Sequence, residues 1–402
     1  VLSLEGMKVL DLTRVMAGPY CTMVLGDLGA EVIKIEKGKT GDDTRSMGPF
    51  VNGESACFMM INRNKRSLTL DLKSEKGREI FLKLAKKADV IVENFRPGVV
   101  QKLGIDYETV KKLNRGIIYC SISGYGQTGP YSQKGGFDIM AQGMTGLMSM
   151  TGEPDGRPVK AGIAMNDISA GVTAVYSILA AYVHKQKTSR GQLIDVSLVE
   201  SGLAWSVWEA ASYFGAGVVP QRTGSRHRVS APYQAFKTSD GYVLVGGANQ
   251  RSWEKFCNKV VHKPEWIEDP KFKTPHDRIT NVDELERRIE EVLGDKPTHH
   301  WVDLLDDAGV PGGPIYTYEE SLQDPHILAR GMVQEFEHPV AGRLKTLGIP
   351  NKLSETPGQI RRPAPLLGQH NDEILRDELD LTDEEINKLI EENVVTREEL
   401  VK

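Results

Sequence analysis

Asp167 stands just ahead of the apolar run that opens with Ile168-Ser-Ala-Gly-Val172, so its carboxylate falls at or near the N-terminus of a helix. Two uses are open to it there. It can accept N–H bonds from the first turn as a cap, which position alone favours, or it can stay free to act as a nucleophile. Upstream, glycine is concentrated from Gly124 to Gly171, in Gly124-Tyr-Gly-Gln-Thr-Gly-Pro130, Gly135-Gly-Phe-Asp138 and Gly143-Met-Thr-Gly146. Chain this permissive lets backbone approach a bound molecule closely.

Cations form a second constellation: Lys37 and Lys39, then Arg63, Lys65 and Arg66 in Asn62-Arg-Asn-Lys-Arg66, then Arg96 in Glu93-Asn-Phe-Arg-Pro-Gly98. They cluster where adjacent strands of an α/β sheet would end, and ligands of open α/β sheets bind at the carboxyl ends of strands. Several cations there would suit a phosphate-rich ligand such as CoA, ATP or a flavin. Taken singly, each also reads as a solvated surface charge. The turn Thr13-Arg-Val-Met-Ala-Gly-Pro19 could present backbone N–H groups to an anion. It lacks G-x-G-x-x-G, so dinucleotide binding by that fingerprint is disfavoured, and Glu36 alone is weak support for a ribose contact.

Other chemistries find little support. The nine histidines show no H-E-x-x-H spacing, and no G-x-S-x-G elbow occurs. Cys21, Cys57, Cys120 and Cys257 form no C-x-x-C pair and read as thiols in a reducing compartment. No metal is expected. A net charge of −5 offers no global attraction to nucleic acid or to an anionic membrane. The longest apolar stretch, Ala170 to Val183, is too short to span a bilayer. The expected location is cytoplasmic, or the mitochondrial matrix if a transit peptide was removed ahead of Val1.

The elements that must position these groups alternate. Strands are expected at Met7–Leu12, Glu31–Glu36, Asp89–Glu93 and Gly116–Ser121, with helices at Gly18–Leu28, Ser74–Lys87 and Tyr107–Leu113. Ser74 is the expected N-cap of the second helix. This order predicts an α/β fold with a doubly wound, Rossmann-like parallel sheet. From about Gln221 the pattern changes to a Pro/Gly/Arg-rich connector. A strand pair follows at Tyr233–Phe236 and Tyr242–Val245, then helices near Ser252–Val261, Asn281–Leu293 and His299–Ala308. The expected organisation is a large domain over 1–200, a connector over 201–228 and a small α+β domain over 229–325. A return segment over 326–402 carries a charged helix at Thr382–Asn393.

Read together, Gly6-Met-Lys-Val-Leu-Asp-Leu-Thr-Arg-Val-Met-Ala-Gly-Pro19, Gly26-Asp-Leu-Gly-Ala-Glu-Val-Ile-Lys-Ile-Glu36, Gly41-Asp-Asp-Thr-Arg45 and Val92-Glu-Asn-Phe-Arg-Pro-Gly98 resemble the class III CoA-transferases. The resemblance continues through Gly124–Pro130, Pro232-Tyr-Gln-Ala-Phe236 and Pro365-Leu-Leu-Gly-Gln-His370, in the same order along nearly the whole chain. It implies that Asp167 is the catalytic nucleophile and that CoA enters as an acyl-CoA substrate, with no metal, nicotinamide or flavin. The family's CoA-contacting positions fall on Met16, Ala17, Lys37, Leu70, Asp71, Leu72, Lys73, Asn94, Phe95, Arg96, Lys102, Gly135, Gly136, Phe137 and Asp138. The resemblance also implies a homodimer of interlocked chains, with an acyl-CoA donor and a carboxylate acceptor as small-molecule partners and no nucleic acid or membrane partner.

Met16 and Phe137 replace a glutamine and a tyrosine of the formyl-CoA transferases, which weighs against formate and oxalate; the expected acids are short dicarboxylates such as succinate and glutarate. Arg14, Arg226, His227 and Arg228 are the candidate contacts for the second carboxylate, because buried cations need anionic partners. Two alternatives share the fold: an α-methylacyl-CoA racemase and a catalytically silent CoA-binding protein. The racemases place a histidine where Phe137 stands, and phenylalanine cannot carry a proton.

Overall fold

β-branched runs flanked by amphipathic helices build the first of two compact units in this computed structural model, which describes residues 1–396. That unit comprises Val1–Leu147, Lys160–Ala211 and the chain from His326 onward, and the second comprises Met148–Val159 and Ser212–Pro325. The division differs from the sequence expectation for Met148–Val159, which belongs with the second unit, and places the crossing after Ala211.

Six parallel strands form the sheet of the first unit: β1 (Lys8–Asp11), β2 (Glu31–Glu36), β3 (Lys65–Thr69), β4 (Val90–Glu93), β5 (Ile118–Ser123) and β6 (Leu193–Ser197). Their spatial order is β3-β2-β1-β4-β5-β6, that of a doubly wound nucleotide-binding sheet. Val9 pairs in register with Val32 and Val90, and Leu10 with Ile33 and Ile91. Successive residues of a strand face opposite sides, so the valines join one core and the leucine and isoleucines the other. The valine side packs on helices α1 (Ala17–Asp27) and α5 (Met165–Thr188) through Cys21, Leu25, Ala170, Ala174 and Ile178. The opposite side packs on α2 (Glu75–Lys87) and α3 (Tyr107–Leu113) through Ile80, Phe81, Leu84 and Val110. Ser74 caps α2, its hydroxyl accepting from Gly77 N–H at 3.0 Å, and Lys86 and Lys87 close the helix, where its dipole favours cations. Helix α4 (Asp138–Met144) lies between β5 and α5 along the chain. No described helix is long and apolar enough to cross a membrane.

Two sheet strands were not expected, and charge explains the omission of β3. Lys65 and Arg66 open β3, and with Arg63 they are among the cations that the sequence offers to a phosphate-rich ligand. The structure places all three at the amino end of the strand, away from the carboxyl edge. Arg63 makes a two-point ion pair with Asp27, Nε to Oδ1 at 3.0 Å and Nη2 to Oδ2 at 2.7 Å, and Arg66 pairs with Glu373 and Glu378. Lys65 is fully buried. Its Nζ donates to Asp11 Oδ2 at 2.9 Å, Asn62 Oδ1 at 2.8 Å and Pro19 O at 3.0 Å. Burial pushes its ammonium down to about 8, against the pull of Asp11. The return segment also holds a hairpin, β10 (Val333–His338) with β11 (Gly342–Leu347), where irregular chain was expected.

The second unit carries β7 (Tyr233–Lys237), β8 (Tyr242–Gly246) and β9 (Gly312–Pro314) in the antiparallel order β9-β8-β7. Its core stacks Trp253 on Phe256 and Trp266, with Phe272 edge-on. Buried Arg278 satisfies its donors on the carbonyls of Ala231, Ala248 and Phe272 and on Gln250 Oε1.

Asp11→Ala would leave Lys65 buried without its carboxylate, so it is expected to lower the unfolding free energy by about 3–5 kcal/mol in urea titration, with Lys65→Met in the same chain recovering part of the loss. A parental midpoint for the single variant would show that the pair does not hold this layer.

Candidate active site

The carboxyl edge of the sheet opens into two cavities, both within the first unit. The larger, about 500 Å³, is lined by the segments that leave β1, β2 and β3: Leu12–Arg14, Lys37–Asp42 and Leu70–Lys73, with Phe95, Leu103, Asn393 and Thr396. The other, about 430 Å³, lies over the ends of β1, β4 and β5 and is walled by Arg14–Ala17, Asn94–Pro97, Ser123–Gly124, Lys134–Phe137 and Asp167. Arg14 and Phe95 border both, with the guanidinium carbon 4.9 Å from the centre of the phenyl ring. The two chambers therefore share a wall built from one cation and one aromatic ring.

Asp167 is the third residue of α5, whose own N-cap residue, Ala164, has no polar side chain to offer. The first-turn N–H groups still need acceptors. Asp138 supplies one from the start of α4: its Oδ1 accepts from Asn166 N–H at 2.8 Å and Asp167 N–H at 3.3 Å. Its Oδ2 accepts from Gln142 Nε2 at 2.6 Å, and Gln142 Oε1 in turn takes Ala161 N–H at 2.8 Å. The cap reading of Asp167 is thereby corrected. Another carboxylate does that work, and the Asp167 side chain makes no hydrogen bond among the described residues.

Charge follows from this arrangement. Burial, and then the neighbouring Asp138 carboxylate, push Asp167 up to about 7. Both effects disfavour ionisation, because water is excluded and a like charge stands close by. The group thus titrates near neutrality, as a carboxylate whose charged form is poorly solvated and correspondingly reactive.

Close approach of backbone brings the opposite wall to Asp167. A Cβ on Gly171 of α5 would stand 2.8 Å from Ala17 O, so only glycine lets α5 lie this near the start of α1. The turn carrying Phe137 is set by a second pair, since a Cβ on Gly136 would stand 2.7 Å from the Gly124 Cα. Glycine density upstream of Asp167 thus corresponds to a close approach of Gly136 to Gly124.

Most of the sequence-predicted residues meet at these cavities, and some do not. Lys37, Leu70, Asp71, Leu72 and Lys73 line the larger; Met16, Ala17, Asn94, Arg96, Gly135, Gly136 and Phe137 line the other. Lys37 pairs with Asp43 at 2.8 Å, whereas Lys39, Lys73 and Arg96 have no carboxylate partner among the described residues. Lys102 is exposed on the helix Val99–Leu103, and neither it nor Asp138 lines a cavity. Arg226, His227 and Arg228 belong to the second unit. Arg226 already pairs with Asp283 at 2.5 Å and with Glu286, so it has no unmet charge to direct at a substrate. His227 Nδ1 accepts from Val229 N–H, and Arg228 donates to the carbonyls of Met150 and Gln221. Sequence reasoning missed Asp42, Asp43 and Lys134, which also border the cavities.

An α/β sheet whose carboxyl edge gathers cations around one half-buried, uncommitted aspartate matches a defined group of enzymes. The model of CoA-transferase family III matches residues 4–371, and the chain belongs to that family. It is a CoA-transferase, an enzyme whose substrates are CoA thioesters. Succinyl-CoA:glutarate CoA-transferase of Homo sapiens is 43% identical over 397 residues, covering 98% of this chain and 90% of that protein. Acetyl-CoA:oxalate CoA-transferase of Acetobacter aceti is 39% identical over 91% of this chain and 93% of its own. The crystal structure of a CAIB/BAIF family protein from Brucella suis superposes with a TM-score of 0.84 at 37% identity, covering 94% of this chain and 99% of that one.

Carbon-13 NMR of the unliganded protein is expected to find the Asp167 carboxyl titrating at about 7. Asp138→Asn keeps an oxygen for the two helix N–H groups but removes the like charge, so the midpoint should fall. An unchanged midpoint would mean that burial alone sets it.

Proposed function

We propose that this enzyme moves CoA between short dicarboxylic acids such as succinate and glutarate, with Asp167 carrying the acyl group. The observation that carries the reading is the Asp167 carboxylate itself: relieved of capping by Asp138, half-buried, and exposed to the cavity at the carboxyl edge of the sheet. The names of relatives support the acid class, since the Homo sapiens relative and one from Agrobacterium fabrum, 37% identical, both pair succinate with glutarate.

In this reading a carboxylate oxygen of Asp167 attacks the thioester carbonyl carbon of the donor; the C–S bond breaks and CoA leaves as thiolate, giving a mixed anhydride. The thiolate then attacks the aspartyl carbonyl, releasing the donor acid as a carboxylate and leaving an aspartyl-CoA thioester. The acceptor carboxylate attacks that thioester, forming a second anhydride and freeing the thiolate again. Attack of the thiolate on the acceptor's carbonyl completes the new acyl-CoA and restores Asp167. Each bond broken is replaced by one of similar energy, so no ATP is consumed.

The polyanionic end of CoA is assigned to the larger cavity, where Lys39 and Lys73 would neutralise phosphate beside Lys37, itself paired with Asp43, and Leu70, Asp71 and Leu72 form the floor. The thiol arm would pass Phe95 and Arg96 to reach Met16, Ala17 and the Gly135–Phe137 turn beside Asp167. Arg14, at the shared wall, is the cation assigned to the second carboxylate of the acid; its guanidinium meets Asp43 only at 3.6 Å, a looser contact than the pairs that hold Arg226. The homodimer expected from the family is supported by the helix Val207–Ala216, which buries none of its residues and exposes Trp208 and Phe214.

Asp167→Ala is expected to reduce CoA exchange to background while CoA binding, measured by calorimetry, persists. Hydroxylamine added during turnover should convert Asp167 to its hydroxamate, detected by peptide mass spectrometry; an unmodified Asp167 under active turnover would exclude the covalent route. With succinyl-CoA as donor, succinate-length and glutarate-length diacids should outperform monocarboxylates and oxalate in kcat/KM. Preference for a monocarboxylate would remove the role given to Arg14.

A further inference from the structure

The turn between β1 and α1 is held by side chains from three other segments. Lys34 Nζ donates to Thr13 O at 2.9 Å, and Asp42 Oδ1 accepts from Val15 N–H at 3.1 Å. Arg14, between them, is gripped at both backbone polar groups by one amide: Asn94 Oδ1 accepts its N–H at 2.9 Å, and Asn94 Nδ2 donates to its carbonyl at 2.7 Å. Val15 adopts φ +69°, a left-handed conformation that a β-branched residue holds only when its surroundings enforce it. The turn is thus forced into shape.

Asn94 is itself fixed from below. It follows Glu93, the buried last residue of β4, whose Oε2 accepts from Phe95 N–H at 2.8 Å. That bond orients the phenyl ring on which the Arg14 guanidinium rests. One short segment therefore holds Arg14 twice, by an amide on its backbone and by a ring under its charge.

We propose that the Asn94 side chain is a positioning group for Arg14, delivering its guanidinium to the wall shared by the two cavities. The proposal rests on the reading of Arg14 as the cation that meets the acceptor's second carboxylate. Asparagine suits the task because it presents a donor and an acceptor side by side, matching the C=O and N–H of one residue. Aspartate has the acceptor but lacks the donor, and alanine lacks both.

A double-mutant cycle on the full-length enzyme tests this, with acceptor KM and kcat measured at saturating acyl-CoA and CoA affinity measured separately by calorimetry. Arg14→Ala and Asn94→Ala should each raise the glutarate KM by about tenfold or more, and the double variant should be no worse than Arg14→Ala, because residues acting through one contact are non-additive. CoA affinity in Asn94→Ala should stay within about twofold of the parent, since losing one shared polar contact is what would shift it further. Asn94→Asp, which keeps the size and the acceptor, should fall between parent and Asn94→Ala, and it carries the test should the alanine variant misfold. Multiplying effects, or weakened CoA affinity with an unchanged glutarate KM, would overturn the positioning role. A glutarate KM unmoved by Arg14→Ala would instead overturn the assignment of Arg14, and the positioning role with it.

Discussion

A helix cannot leave its first N–H groups unbonded, and the way this chain meets that demand at α5 determines what Asp167 can do. The cap comes from Asp138, on a different helix, so a single carboxylate closes the helix end and ties α4 to α5. Asp167 inherits the consequences: a side chain with no structural duty, a partly desolvated position and a like charge nearby. Had the helix been capped by Asp167 itself, the hydrogen bonds would have stabilised its anion and blunted it as a nucleophile.

Beneath the cavities the same sheet edge handles charge in the opposite manner. Asp11, Lys65, Lys34 and Asp42 are buried in mutual contact, with Asp11 held below the usual carboxylate range because Lys65 and Lys34 outweigh the cost of its burial. Asp42 is likewise lowered, its burial outweighed by Lys34 and by hydrogen bonds from Thr44. These ions are compensated within the protein. Among the described residues Lys39, Lys73 and Arg96, around the rims, have no carboxylate partner, and such cations are the ones available to a polyanion. Burial thus sorts residues of one chemical type into support and contact.

The two arrangements meet at the turn after β1. Asp11 Oδ1 accepts from Thr13 N–H at 2.9 Å, Lys34 takes the next carbonyl, and Asn94 and Asp42 secure the two residues beyond. A strained Val15 is maintained because its own N–H, both backbone polar groups of Arg14 and the Thr13 carbonyl are already committed. What emerges is a wall of fixed backbone facing the free carboxylate of α5, brought near by Gly171. Positioning of this kind lowers the reorganisation needed when a thioester is attacked.

Periodicity by itself determined the α/β class, four of the six parallel strands, helices α1 to α3 and the Ser74 cap, because those elements rest on local patterns of apolar residues and turn formers. It also located Asp167 at the start of a helix. The sequence could not reveal β3, since a strand opening with Lys65 and Arg66 carries no apolar signature until Asp11 is seen beside it, 54 residues away in the chain. Nor could it decide which cations are spent and which remain available, or that Asp138 and not Asp167 caps α5. Those outcomes depend on which side chains lie across from one another when distant segments pack, and linear order does not encode that distance.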